Sequence, residues 1–233
     1  KRIGEQFSAQ DSGTLSIATT HTQARYVLPH AVAKLRSSYP KVHISLHQAT
    51  PHEVARMVLD EQAEIGMATE SLADYPDLVT LPCYEWEHVL VVPPSHPLAT
   101  KERIGLDDLA IEPLITYHPS FTGRNKIDAA FAARQLHPRV VLEAIDSDVI
   151  KTYVRLGLGV GIVAEMAMRE DPGVDLVARP LGHLFGQSVA RVAFKRGAYL
   201  RNFVYKFAET LSDRLSRDLI IRAMQGEPSD YSL

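Results

Sequence analysis

Apolar residues along this chain switch repeatedly between a period of two and a period near 3.6. Thr14 to Ala18 reads as a strand, and Val42, Ile44 and Leu46 alternate with His43, Ser45 and His47 as in a half-buried strand. Between them Leu28, Val32, Leu35 and Tyr39 recur at helical spacing until Pro40 ends the helix; Pro29 sits in its first turns or kinks it. Thr50-Pro51-His52-Glu53 predicts a helix start running to about Gln62. Thr50 can cap, Pro51 suits the first helical position and Glu53 closes a capping box. Ile65 to Ala68 is a short buried strand ending at Thr69.

The second half repeats the alternation. A strand over Trp86–Val92 stops at Pro93-Pro94, and a short helix near Leu106–Ala110 precedes a strand over Leu114–Tyr117. The loop His118–Gly123 leads into a helix carrying Ile127, Ala130, Phe131 and Arg134, followed by a strand over Val140–Ala144. Asp148 is placed to cap a helix to Leu156, with Gly157 as its C-cap and a strand over Val160–Ala164 behind it. Val189–Phe194 reads as a last strand and Tyr199–Leu211 as a closing amphipathic helix. A helix fits the tail from Leu215, and the residues from Pro228 on read as loose.

Strands alternating with helices predict an α/β fold with mostly parallel sheets covered on both faces. The spacing predicts two α/β units, one over residues 12–83 and one over residues 84–186, with residues 187–213 returning to the first and 214–233 forming a tail. Two crossings make a hinge pair with a central ligand cleft between the lobes. In open α/β sheets ligands bind beyond the carboxyl ends of strands. Three such ends carry short hydroxyls: Thr19-Thr20-His21-Thr22-Gln23, Thr69, and Ser120 with Thr122-Gly123. Two of these turns lead into helices, whose free N–H groups attract anions. Two readings stand for each turn: its hydroxyls donate to an anion, or they only cap their own helix.

Composition narrows the classes. The chain has 233 residues, 45% hydrophobic and 23% charged, with net charge −3, so no basic surplus suits it to gripping a nucleic-acid backbone by itself. Cys83 is the only cysteine, which excludes an internal disulfide and a cysteine metal cluster and fits a reducing compartment. No apolar run of about 18 residues predicts a membrane span, and no signal peptide is recognisable. The start at Lys1-Arg2 suggests an excised piece of something longer.

Motifs for catalysis are few. Gly157-Leu158-Gly159-Val160-Gly161 follows a helix and precedes a strand, the reverse of a dinucleotide fingerprint, so tight packing is the expected role. Neither G-x-S-x-G nor H-E-x-x-H occurs, and the ten His stand at no metal-ligand spacing. His21 is open to a role as base or as simple donor. Cys83 has no basic neighbour in sequence and is expected to be inert. Arg25 and Arg124 either add charge to a bound anion or serve as solvated salt-bridge partners.

Longer strings go further. Thr19-Thr20-His21-Thr22-Gln23-Ala24-Arg25-Tyr26 with Leu28-Pro29, Leu81-Pro82-Cys83-Tyr84 with Trp86, Phe121-Thr122-Gly123-Arg124, and the run Asp146 to Gly161 closely resemble the effector domain of the CysB group of LysR-type transcriptional regulators. The resemblance covers about residues 12 to 212. It implies a two-subdomain, type 2 periplasmic-binding-protein-like fold, no catalysis, no cofactor and no metal. It implies a cytoplasmic bacterial activator of sulfur-assimilation and cysteine-biosynthesis genes, acting as a homotetramer, with no membrane partner. Promoter DNA would be met only through an N-terminal winged helix-turn-helix that these residues lack, residues 1–11 being the end of its linker. The anion site it implies comprises Thr20, Thr22, Gln23, Thr69 and Thr122, with Trp86 nearby. Implied effectors are O-acetylserine, thiosulfate or sulfide, and adenosine phosphosulfate for the sulfonate-responsive relatives, and sulfate fits the same cleft. Ala164-Glu165 looks closer to the sulfonate-utilisation relatives and Leu81–Tyr84 to the cysteine-regulon activator. A solute-binding protein or a small enzyme on the same fold is the alternative.

Overall fold

The computed structural model describes residues 11–169 and 175–227, so the linker expected before residue 11 lies almost wholly outside them and the loose tail from Pro228 lies entirely outside them. Along the chain the first elements are β1 (Gly13–Thr19), α1 (His21–Tyr26), α2 (Leu28–Ser38), β2 (Val42–Gln48), α3 (Pro51–Leu59), β3 (Ile65–Ala68) and β4 (Leu78–Val92). There follow α4 (Leu106–Ala110), β5 (Pro113–Tyr117), α5 (Thr122–Ala133), β6 (Arg139–Ala144), α6 (Ser147–Arg155), β7 (Val160–Ala164), β8 (Val177–Pro180) and α7 (Gly182–Phe185). The chain closes with β9 (Gln187–Lys195), α8 (Asn202–Leu211) and α9 (Arg217–Met224). The described residues divide into two compact units, one formed by those up to Tyr84 with those from Val189 on, the other by those between Glu85 and Ser188.

In the first unit β1 lies parallel between β2 and β3, and β9 runs antiparallel to β3. The capping box at α3 forms as the sequence predicts: the Thr50 side chain accepts from Glu53 N, and the Glu53 carboxylate accepts from Thr50 N at 2.8 Å. These bonds hold the Glu53 carboxyl below its ordinary pKa. Val54, Ala55 and Val58 of α3 pack on Ala18, Ala68 and Ala193 of the sheet. Gly66 makes that approach possible, because a Cβ there would stand 2.8 Å from Val58. On α2 and α8, Leu28, Leu35, Phe203 and Phe207 are fully or almost fully buried.

The second unit joins β4, β7, β5 and β6 in that order, with β8 on the other edge of β4. β5 is parallel to β6 and β7, whereas β4 is antiparallel to both β7 and β8, so parallel pairing does not extend through this sheet. Its core gathers Leu90, Leu114, Ile127, Phe131, Ile162 and Phe185. The glycines at 159 and 161 are packing positions: a Cβ at 159 would lie 2.3 Å from Pro113 O, and one at 161 would lie 2.8 Å from Val154. One guanidinium organises the irregular stretch after β4. Arg179 donates to the carbonyls of Leu98 at 3.2 Å, Ala99 at 2.9 Å, Lys101 at 2.5 Å and Glu102 at 3.5 Å.

Several elements differ from the expectation. β4 begins eight residues before Trp86 and runs through Pro82. The hydroxyl-rich stretch is not an open turn: α1 starts at His21, so Thr22 and Gln23 are helical. Asp146 rather than Asp148 caps α6, accepting from Val149 N at 2.8 Å. α3 ends at Leu59, and α8 starts at Asn202.

Candidate functional site

In the first unit the carboxyl ends of neighbouring strands bring four candidate residues to one edge of the sheet. β1 delivers Thr19 and Thr20, its partner β3 delivers Thr69, and α1 turns Thr22 and Gln23 back beside them. Thr20, Thr22, Gln23 and Thr69 are all buried, although each is polar. Thr20 is the N-cap residue of α1 and Thr69 that of the 3₁₀ turn Glu70–Asp74, yet neither side chain makes a capping hydrogen bond. The reading in which these hydroxyls only cap their own helices therefore fails at both positions. Thr69 Oγ1 lies 3.1 Å from Ser71 Oγ, and Tyr84 donates its hydroxyl to Gln23 Oε1. The Thr19 hydroxyl, fully buried at the end of β1, has no hydrogen-bond partner among the described residues. His21 Nδ1 stands 3.3 Å from Gln48 Oε1 of β2.

In the second unit Thr122 opens α5, whose N-cap Phe121 has no side-chain capping bond. Trp86, from β4, is 5% exposed and lies against this turn: its Cη2 would be 3.6 Å from a Cβ on Gly123. Arg124 is not a solvated ion-pair partner. It is buried, and its guanidinium is taken by Asp128 at 2.8 Å, Glu143 at 3.4 Å and the Tyr117 carbonyl at 2.9 Å, so its charge is already answered. Arg25 lies over the Tyr26 ring at 5.0 Å on the surface.

Sequence reasoning missed His88. It is fully buried two residues along β4 from Trp86, with the two rings edge to face at 4.9 Å. Burial, assisted by the positive charge of Lys126, pushes its pKa down from 6.5 to about 4, so the imidazole is uncharged at neutral pH. The one available signal was a polar residue on the same strand face as Trp86, just before the apolar run Val89–Val92. Cys83 is buried and its thiol is pushed up to about 12, which keeps it protonated and unreactive.

The chain matches the family described as LysR substrate binding domain over residues 8–216. It is 54% identical, over its whole length and 74% of the relative, to the HTH-type transcriptional regulator CysB of Burkholderia cenocepacia. The chain belongs to the LysR family. Within that family it is 48% identical to the regulator SsuR of the same organism, across 93% of this chain and 70% of the relative. It is 42% identical to the regulator Cbl of Escherichia coli, across 100% of this chain and 75% of the relative. The crystal structure of the cofactor-binding domain of Cbl superposes with a TM-score of 0.86 at 44% identity, covering 92% of this chain and 94% of that one. The LysR domain described here thus has the type 2 periplasmic-binding-protein-like fold, and it is an effector-binding domain of the CysB, SsuR and Cbl type. Among the described residues no helix is long and apolar enough to cross a membrane.

Proposed function

We propose that this domain senses a small anionic sulfur metabolite, or O-acetylserine, for a cytoplasmic transcription activator of sulfur-assimilation and cysteine-biosynthesis genes. Sulfate, thiosulfate, O-acetylserine and adenosine phosphosulfate are the candidate effectors. Thr20, Thr22, Gln23, Thr69 and Thr122, with Trp86, are the residues assigned to binding the effector. The observation that carries the reading is the set of buried hydroxyls at the ends of β1 and β3 that do not cap their own helices. Short hydroxyl donors on strand ends suit an oxyanion, because they reorient toward it at little cost.

The regulator works as a dimer or tetramer and meets promoter DNA through a helix-turn-helix segment. The effector acts by binding two conformations of this domain with different affinity and so shifting their populations. The domain is a sensor and turns nothing over.

Calorimetric titration of the chain with sulfate, thiosulfate and O-acetylserine tests this, repeated with Thr22→Ala. At least one ligand should bind and raise the melting temperature by mass action, and Thr22→Ala should weaken it. Absence of any binding, or unchanged binding in the variant, refutes the site; consumption of O-acetylserine by the pure domain refutes the sensor-only reading.

A further inference from the structure

His88 is a polar side chain sealed against aromatic rings. It is 0% exposed, between Trp86 at a centroid distance of 4.9 Å and Phe185 at 6.0 Å. Neither of its ring nitrogens has a hydrogen-bond partner among the described residues, and neither has Trp86 Nε1. Native interiors rarely leave such groups unsatisfied, since each gives up its water without a replacement. Three adjoining nitrogens in that condition mark a place where something else completes the bonding.

One of them, His88 Nε2, sits beside the first turn of α5, and the Trp86 ring edge reaches the same turn through Cη2. A Cβ on Gly123 would be 2.7 Å from His88 Nε2, so glycine at 123 is what lets the imidazole reach the turn that carries Thr122. α5 is a twelve-residue helix with no side-chain cap; Arg124 N donates to Phe121 O at 3.1 Å, and the turn carries the positive end of the helix dipole. One turn on, Lys126 adds a positive charge and fixes itself by donating to Gln187 O at 2.6 Å and Ser188 Oγ at 3.1 Å. The indole N–H is a donor only, and an imidazole holds one donor and one acceptor. The chemical complement of this cluster is an acceptor-rich group, an oxyanion of the sulfate class.

We propose that His88 is a specificity-determining positioning residue of the effector site: it sets the first turn of α5, through Gly123, so that Thr122 and the turn's amides take a tetrahedral oxyanion. The inference rests on the reading that Thr122 belongs to that site.

The test uses the whole chain and inorganic sulfate and thiosulfate as probes, comparing wild type, Thr22→Ala, His88→Leu and His88→Gln by titration calorimetry, with circular dichroism as the check on folding. His88→Leu, which removes the ring nitrogen that meets the turn at Gly123, should lower sulfate affinity by about tenfold. His88→Gln, which restores a donor and an acceptor, should return it to within about threefold. A purely structural role predicts a change in melting temperature, unchanged sulfate affinity in the folded Leu variant and no rescue by Gln. If Thr22→Ala weakens binding while His88→Leu does not, or if Gln fails to rescue, the role of His88 falls and the effector site stands. If the wild-type chain binds neither anion, the role of His88 falls and O-acetylserine titration alone decides the effector site; if anions bind but neither Thr22→Ala nor His88→Leu matters, both readings fall. Should the Leu variant not fold, His88→Phe keeps a ring between Trp86 and Phe185 and replaces it, with the same loss expected and unchanged binding overturning the role.

Discussion

Lowering the pH should destabilise this domain through His88 in particular, and the size of the effect follows from its burial. The imidazole is fully buried, and its pKa falls from 6.5 to about 4, first because burial disfavours the charged ring and second because Lys126 repels it. Above the unfolded value both states carry it neutral, and it contributes no pH dependence. Between the two values the unfolded chain takes up a proton that the native domain refuses, so stability is lost as pH falls through this window. At about 1.4 kcal/mol per pKa unit, the gap between 6.5 and about 4 sets a ceiling of about 3 kcal/mol. Roughly 2 kcal/mol of it should be gone on passing from about pH 7.5 to about pH 5. Urea denaturation of wild type and His88→Leu at steps across that range measures it, because the carboxylates titrate in both proteins and cancel in the difference. The stability of the wild type relative to the variant should fall as the pH drops, with the urea slope unchanged. Two curves that fall in parallel would falsify the assignment of this slope to His88.

Other consequences are local. Gly123→Ala places a methyl 2.7 Å from His88 Nε2 and should cost about 1–3 kcal/mol by overpacking. Combining it with His88→Ala should recover part of that loss, and strict additivity in urea melts would count against the contact. Thr50→Ala removes the side-chain cap of α3 while leaving the Thr50 N–H bond to Glu53, and should lower unfolding stability by about 1 kcal/mol. Cys83, with its thiol pushed up to about 12 by burial, should react with a thiol reagent only after denaturant is added; rapid labelling of the native chain would contradict its placement.

Much of the fold could be read from local chemistry. The capping box at Thr50–Glu53 and the alternation over Val42–Leu46 each rest on a pattern confined to a few residues, and both elements form. The first half of β4 was hidden because Pro82 carries no N–H for a ladder, whereas the strand continues through it. β8 and α7 have four residues each, too few to display a period. The start of α1 was hidden by its own composition, since Thr and His at its head are weak helix formers that suit turns equally well. At the candidate site the hydroxyls at 20, 22, 69 and 122 were visible as residue types, but not whether they cap their own helices; only the bonds at Thr20 and Thr69 decide that. His88 was invisible for a different reason. Nothing in a strand pattern separates a polar residue at a half-exposed position from one sealed in the core.

The four carbonyls gathered by Arg179 have a consequence for how this protein ages in solution. Beyond the local bonds of His96 to Leu98 and Ala99, the backbone carbonyls from Leu98 to Glu102 are tied to a single side chain seventy-seven to eighty-one residues further along. Such a segment does not fray residue by residue: when the guanidinium is lost, all four acceptors turn to water together. Arg179→Ala should therefore convert a quiet stretch of chain into a preferred site of protease nicking near Lys101 and Arg103, while the sheet around it stays protected.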